Sequence, residues 1–165
     1  MHKKGHVGVA LLFYAPLLAW LLANGMYPFA LLGFIIILSF PMLLDIDMRI
    51  PFVSHRGFTH TIGGILCLAA ALALVPVFFI PLLHIIGIAA APIIGFVFGM
   101  GLLVGVAHLF GDGVTYAGIS PINFTDFKIA LRLFSADSFL GNLFFRILGW
   151  IALLLAVGVG FGFLL

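Results

Sequence analysis

Long apolar runs broken by short polar or proline-bearing joints dominate the chain. A helix that crosses roughly 30 Å of hydrocarbon needs about 20 predominantly apolar residues. Five runs meet or approach that length: about Val7–Ala23, Phe29–Leu44, Thr61–Leu83, Ile85–Ala107 and Phe144–Leu165. The second is short and lies between Pro28 and Pro41, with Pro41 placed to kink its last turn. Pro76 and Pro81 fall late in the third run and Pro92 early in the fourth, positions a membrane helix tolerates when its neighbours satisfy the freed carbonyls. Gly95, Gly99, Gly101 and Gly105, then Gly158, Gly160 and Gly162, have the spacing of close helix–helix packing. No Ala-x-Ala-like cleavage site follows the first run, which therefore reads as a retained helix.

Between the fourth and fifth runs, Gly111–Leu143 is too polar to span as one element. Within it Phe124, Phe127, Ala130, Leu131 and Phe134 recur near helical spacing, with Lys128 and Arg132 on the flanks. That pattern predicts an amphipathic helix lying at the interface, as a roof over a site or as an anchor. The expected fold class is all-α: a polytopic membrane helix bundle of about five transmembrane helices plus one interfacial amphipathic helix. Residues 1–165 are expected to form a single membrane domain.

Composition agrees. The chain is 65% hydrophobic and 7% charged, where a soluble domain carries roughly 25% charged residues. The lone Cys67 excludes an intramolecular disulfide. No Lys/Arg-rich cluster with interleaved aromatics is present, so no nucleic-acid partner is expected; the expected partners are the lipid bilayer and a lipid-like substrate. With five spans, Lys3, Lys4, Arg49, Arg56, Lys128, Arg132 and Arg146 all fall on one side. The positive-inside rule makes that side cytoplasmic, with the N-terminus inside and the C-terminus outside.

The same topology sorts the residues capable of chemistry. His2, His6, Asp45, Asp47, His55, His60, His108 and Asp112 all come to the cationic face, and His84 alone goes to the other. Ionisable groups at or in the membrane are costly and are functional candidates by default. His108 and Asp112 are four positions apart and share a helix face. Asp45-Ile46-Asp47 offers two carboxylates on a short segment, while Gly57 permits a turn between His55 and His60, after which Thr59 or Thr61 could cap a helix. Singly, each signal is weak: an interfacial His such as His2 or His84 is ordinarily a headgroup contact, and helix-end carboxylates are often simply solvated. Four weak signals on one face together point to a divalent-metal site of imidazole and carboxylate, suited to zinc, manganese or iron and excluding a Cys-type zinc site.

The elements His55-Arg56-Gly57-Phe58-Thr59-His60-Thr61 and His108-Leu109-Phe110-Gly111-Asp112, after an early Asp-Ile-Asp and with Thr115 and Gly118 following, resemble the LexA-regulated inner-membrane metal-dependent hydrolases of the YdjM-like family. The resemblance runs from His6 to about Pro121. It implies distant similarity to zinc-dependent phospholipase C and P1-type nucleases, and a prokaryotic inner-membrane location. It also implies metal ligands at His6, Asp45, His60, His108 and Asp112, with Asp112 bridging if two ions bind. Leu44 stands where the family often has Pro, and Thr61 where it often has Ser. After the interfacial segment Asp137 is the one acidic candidate, and the chain has no Glu to build the third zinc site of the soluble relatives.

The expected function is hydrolysis of a phosphoester in a phospholipid or lipid-linked substrate by metal-activated water, using one or two divalent ions, zinc foremost. Asp47 or His55 would take the proton as general base, and Arg56 would hold phosphate through its planar fork of donors. The competing readings are a divalent-cation or proton-coupled transporter, and a non-catalytic protein with a structural metal. Transport favours ionisable groups near the bilayer midplane, where these helices have none; a structural metal requires a closed ligand set.

Overall fold

The computed structural model describes residues 1–49, 57–122, 125 and 127–164, the backbone alone for Arg49. Six α-helices are present among them: α1 (Lys3–Ala23), α2 (Tyr27–Ser39), α3 (Ile62–Leu74), α4 (Ile80–Ile85), α5 (Ala90–Gly113) and α6 (Phe139–Gly160). Counting α3 and α4 as one interrupted element, five segments are long and apolar enough to cross a membrane. The protein is thus an all-α bundle with the five spanning elements that the hydrophobic runs predict.

The third run departs from a single rod. α3 ends at Leu74, a 3-10 turn covers Pro76–Phe79, and α4 resumes at Ile80. Pro76 and Pro81 explain the break, because each lacks the N–H that would continue the ladder and its ring crowds the preceding turn. The α1–α2 joint is tight: Gly25 takes a positive φ of 69° and lets the chain double back within three residues.

α1 is the centre of the bundle, packed against α2, α5 and α6. It buries Val9, Leu11, Tyr14, Leu18 and Leu21, and the Tyr14 hydroxyl donates a 2.6 Å hydrogen bond to the Ala30 carbonyl of α2. α6 runs parallel to α1 at backbone contact. A Cβ on Gly8 would strike the Phe145 carbonyl, one on Gly149 the Gly8 carbonyl, and one on Gly160 the Leu22 side chain. α5 runs antiparallel to α3, Gly101 lying on Ala69 and Gly105 on Ile65. Small residues admit such approach where lipid offers no hydrophobic drive of its own. Gly95 and Gly99, of the same stripe, have open space before them.

The interfacial segment differs from expectation. No helix forms among the described residues of 114–138. Instead the chain folds back along the end of α5: Ile119 and Ile129 exchange both backbone hydrogen bonds at 2.9 and 2.8 Å, and the Leu131 and Leu133 amides donate to the Gly113 and Val114 carbonyls. Gly118 at φ 64° and Arg132 at φ 54° turn the backbone left-handed, which a helix does not permit. Phe124 lies outside the described residues. Of the apolar residues whose spacing imitates a helix, Phe134 packs on the core while Phe127 and Leu131 stay exposed, so no common face forms.

Candidate metal centre

Four segments meet at one end of the bundle. Phe40 and Pro41 stop α2, and the chain passes into a 3-10 turn, Leu44–Arg49, carrying Asp45 and Asp47. A second 3-10 turn, Phe58–His60, leads into α3. Thr61 fixes that entry: its hydroxyl accepts from the Gly64 N–H at 3.2 Å and donates to the Phe58 carbonyl at 2.6 Å. Threonine at an N-cap serves this purpose, and it pins His60 beside it. The last two turns of α5 supply His108 and Asp112 on one face, and the first turn of α1 supplies His6.

Asp45, His60, His108 and Asp112 are all buried and place one ligand atom each within 4.8 Å of the others, a group of two Asp and two His able to hold a metal ion. His60 Nε2 lies 3.1 Å from Asp45 Oδ1 and 3.2 Å from His108 Nε2. His108 Nε2 lies 3.4 Å from the same Asp45 oxygen, and Asp112 Oδ2 lies 3.6 and 3.7 Å from the two imidazoles. Tetrahedral zinc with bonds of 2.0–2.1 Å has ligand–ligand edges of roughly 3.3 Å. The quartet therefore has nearly the size of a tetrahedral shell.

Hydrogen bonding behind the rings decides what the converging nitrogens carry. His108 Nδ1 donates to the Pro41 carbonyl at 2.6 Å, which leaves its Nε2 as a bare lone pair. Thr59 donates its proton to Asp47 Oδ2 at 2.6 Å, so its oxygen accepts from His60 Nδ1 at 3.0 Å. Asp47 Oδ2 itself stands 3.4 Å from that nitrogen. His60 Nε2 is thereby bare as well. Two imidazole nitrogens and two carboxylate oxygens face one another, an arrangement able to hold a cation between them.

Asp112 also faces a second group. Its Oδ1 accepts from the Met1 amine at 2.6 Å and lies 3.4 Å from His6 Nε2. His6 stacks on His108 with ring centroids 3.9 Å apart, lies against Gly111, and forms no hydrogen bond from either ring nitrogen. His6 thus sits beside the quartet, on the far side of Asp112, rather than within it.

Of the residues expected to do chemistry, Asp47 is turned away. A 3-10 turn advances about 120° per residue, so positions two apart diverge. Asp45 enters the quartet, while Asp47 backs His60 and does not occupy the place of a proton acceptor at the site. His55 and Arg56 lie outside the described residues. His2 is at the surface, 3.4 Å from Asp137, and His84 is in α4.

Three contributors escaped the sequence reading. The Pro41 carbonyl and Thr59 orient the imidazoles. Asn142, buried in α6, accepts from the His2 N–H at 2.9 Å and donates to the Ala136 and Ser138 carbonyls at 2.9 and 2.8 Å. Its signal was available as a lone amide in the apolar run of α6. A cavity of about 230 Å³ opens on the centre, passing Met1, His2, Lys3 and Asp137 to reach Asp45 and Asp112.

Searches against known families, curated proteins and solved structures find no match to this chain.

Proposed function

We propose that the protein is a membrane-embedded metal-dependent hydrolase, with its centre at the cytoplasmic face, acting on a phosphoester of a phospholipid or other lipid-linked substrate. The observation behind this reading is the convergence of two buried imidazoles and two buried carboxylates, Asp45 and Asp112 of which border a cavity. The Asp₂His₂ donor set suits zinc, with manganese or iron as alternatives. Asp45, His60, His108 and Asp112 hold the ion; Pro41, Thr59 and Asp47 keep the imidazoles aimed. A divalent ion held there lowers the pKa of water and offsets charge developing on a phosphoryl oxygen. Asp112, with His6 and the Met1 amine on its other oxygen, is the bridge should a second ion bind. His55 and Arg56, five and four residues before His60, keep the proton-transfer and phosphate-holding roles expected of them. Resemblance to the YdjM-like family supports the same reading and the inner membrane as its place. The cytoplasmic orientation follows from the Lys and Arg residues gathered at the site's end of the helices.

One observation favours a second reading. Four protein donors close a tetrahedral shell, as in a structural site, whereas catalytic sites keep a position open. The cavity reaching Asp45 and Asp112 favours catalysis, since a structural ion needs no entrance. Elemental mass spectrometry of the detergent-purified protein, beside His108→Ala and Asp112→Ala, tests the centre. One or two equivalents of metal, lost in both variants, are expected, with hydrolysis of lipid phosphoesters lost in parallel. No metal after loading at neutral pH refutes the proposal. Cobalt substitution separates the two readings: visible bands that shift on adding phosphate indicate an open position, and bands indifferent to it indicate a structural ion.

A further inference from the structure

A second cavity, of about 470 Å³, lies between the first turns of α1 and α6, next to the one that reaches the metal centre. The two share His2, Lys3 and Asp137. Its walls carry three cations, Lys3, Lys4 and Arg146, against one carboxylate, Asp137, which stands 3.4 Å from His2. Among the described residues none of the three cations is ion-paired.

Arg146 makes this groove more than a cationic margin. It stands seven residues beyond Phe139, the start of α6, or about 10 Å along the helix axis. A guanidinium at that depth is costly on a lipid-facing helix and must reach back to the interface or meet an anion. The close approach of α6 to α1 sets its backbone on Gly8, and in the groove Arg146 shares the walls with Lys3, Lys4 and the single carboxylate Asp137. Phe139, 75% exposed at the start of the α6 span, gives the groove an apolar border.

We propose that this groove is a subsite for the negatively charged headgroup of a membrane phospholipid, held by Lys3, Lys4 and Arg146. Charge complementarity selects a lipid with net negative charge over a zwitterionic one, and the apolar border selects a lipid over a soluble phosphate ester. The relation of the subsite to the metal centre rests on the hydrolase reading: a headgroup lodged at Lys3 has the entrance to Asp45 and Asp112 beside it. Binding in the groove does not require the ion.

The test is native mass spectrometry of the full-length, metal-stripped protein, titrated with phosphatidylglycerol and phosphatidylcholine of the same acyl chains. Preferential retention of phosphatidylglycerol is expected, weakened roughly fivefold for each cation removed in Lys4→Gln and Arg146→Gln. Lys128→Gln, which alters an exposed cation outside the groove, should leave the preference intact. Thermal unfolding in detergent selects variants that keep the fold; these cations are exposed, and if Arg146→Gln unfolds, Arg146→Lys with Lys4→Gln takes its place. Equal retention of both lipids overturns the proposal, as does a loss in Lys128→Gln equal to that in the groove variants. Competition by soluble glycerophosphate at the lipid's own concentration also overturns it, because it makes the ligand a free phosphate ester. Lipid preference without hydrolysis leaves the subsite standing and removes the enzyme, while hydrolysis indifferent to headgroup charge does the reverse.

Discussion

Asp47→Asn separates two roles for one carboxylate. The sequence suggests a proton acceptor; the structure puts Asp47 behind His60, receiving the Thr59 proton at 2.6 Å and standing 3.4 Å from the imidazole Nδ1. Asparagine has nearly the same shape, and its amide oxygen can still accept from Thr59, so the 3-10 turn should survive. What is lost is the negative charge 3.4 Å behind the His60 imidazole. Groups behind a metal ligand are worth about 10–100-fold in affinity, or roughly 1.4–2.8 kcal/mol. Because Thr59 stands between Asp47 and the ring, the effect belongs near the lower bound. Zinc competition against a chromophoric chelator in detergent should give a dissociation constant raised about tenfold, with unchanged stoichiometry. Turnover at saturating zinc should be reduced modestly. An unchanged zinc affinity together with abolished hydrolysis would refute the reasoning and return Asp47 to the role of base.

Other expectations follow from the same contacts. Gly8→Val forces a branched side chain into the Phe145 backbone and should destabilise the bundle by about 3 kcal/mol or prevent its recovery; thermal unfolding in detergent is the measure, and a wild-type midpoint would deny that the helices touch there. Tyr14→Phe removes a buried hydrogen bond to Ala30 and should cost about 1 kcal/mol without altering metal content. Zinc at a hundredfold excess over its dissociation constant should stabilise the wild type by about 2.7 kcal/mol, and a chelator should reverse this, whereas His108→Ala should respond to neither. Reporter fusions at the two ends should place the N-terminus in the cytoplasm and the C-terminus outside.

The five spanning elements were legible because length and apolarity alone specify them. The break at Pro76 was not foreseen: the sequence reads as a run that tolerates Pro76 and Pro81, whereas α3 ends at Leu74 and a 3-10 turn follows. The segment after Gly113 misled: its backbone pairs with the end of α5 through Leu131 and Leu133, with left-handed turns at Gly118 and Arg132, while Phe127 and Leu131 stay exposed. At the centre, His108 and Asp112 could be paired from spacing alone, since four residues along a helix return to the same face. Asp45 and Asp47 could not be told apart in that way. Their divergence comes from the 3-10 turn that follows Pro41, and local sequence does not announce whether such a turn or a loose coil will form. Nor does any pattern signal that a proline carbonyl will choose the tautomer of His108.

The backbone contact between α1 and α6 has a consequence for how the protein comes into being. α1 finds its main neighbour, α6, only after the spans between them in the chain have been made. Until then Gly8 lacks the Phe145 backbone it packs on, and the His2 amide lacks the Asn142 oxygen that receives it. His60 and His108 can be brought together earlier, once α3 and α5 have paired. Synthesis therefore orders assembly: the quartet can form before α6 is made, and the end that carries Met1 and His6 is clasped only once α6 arrives.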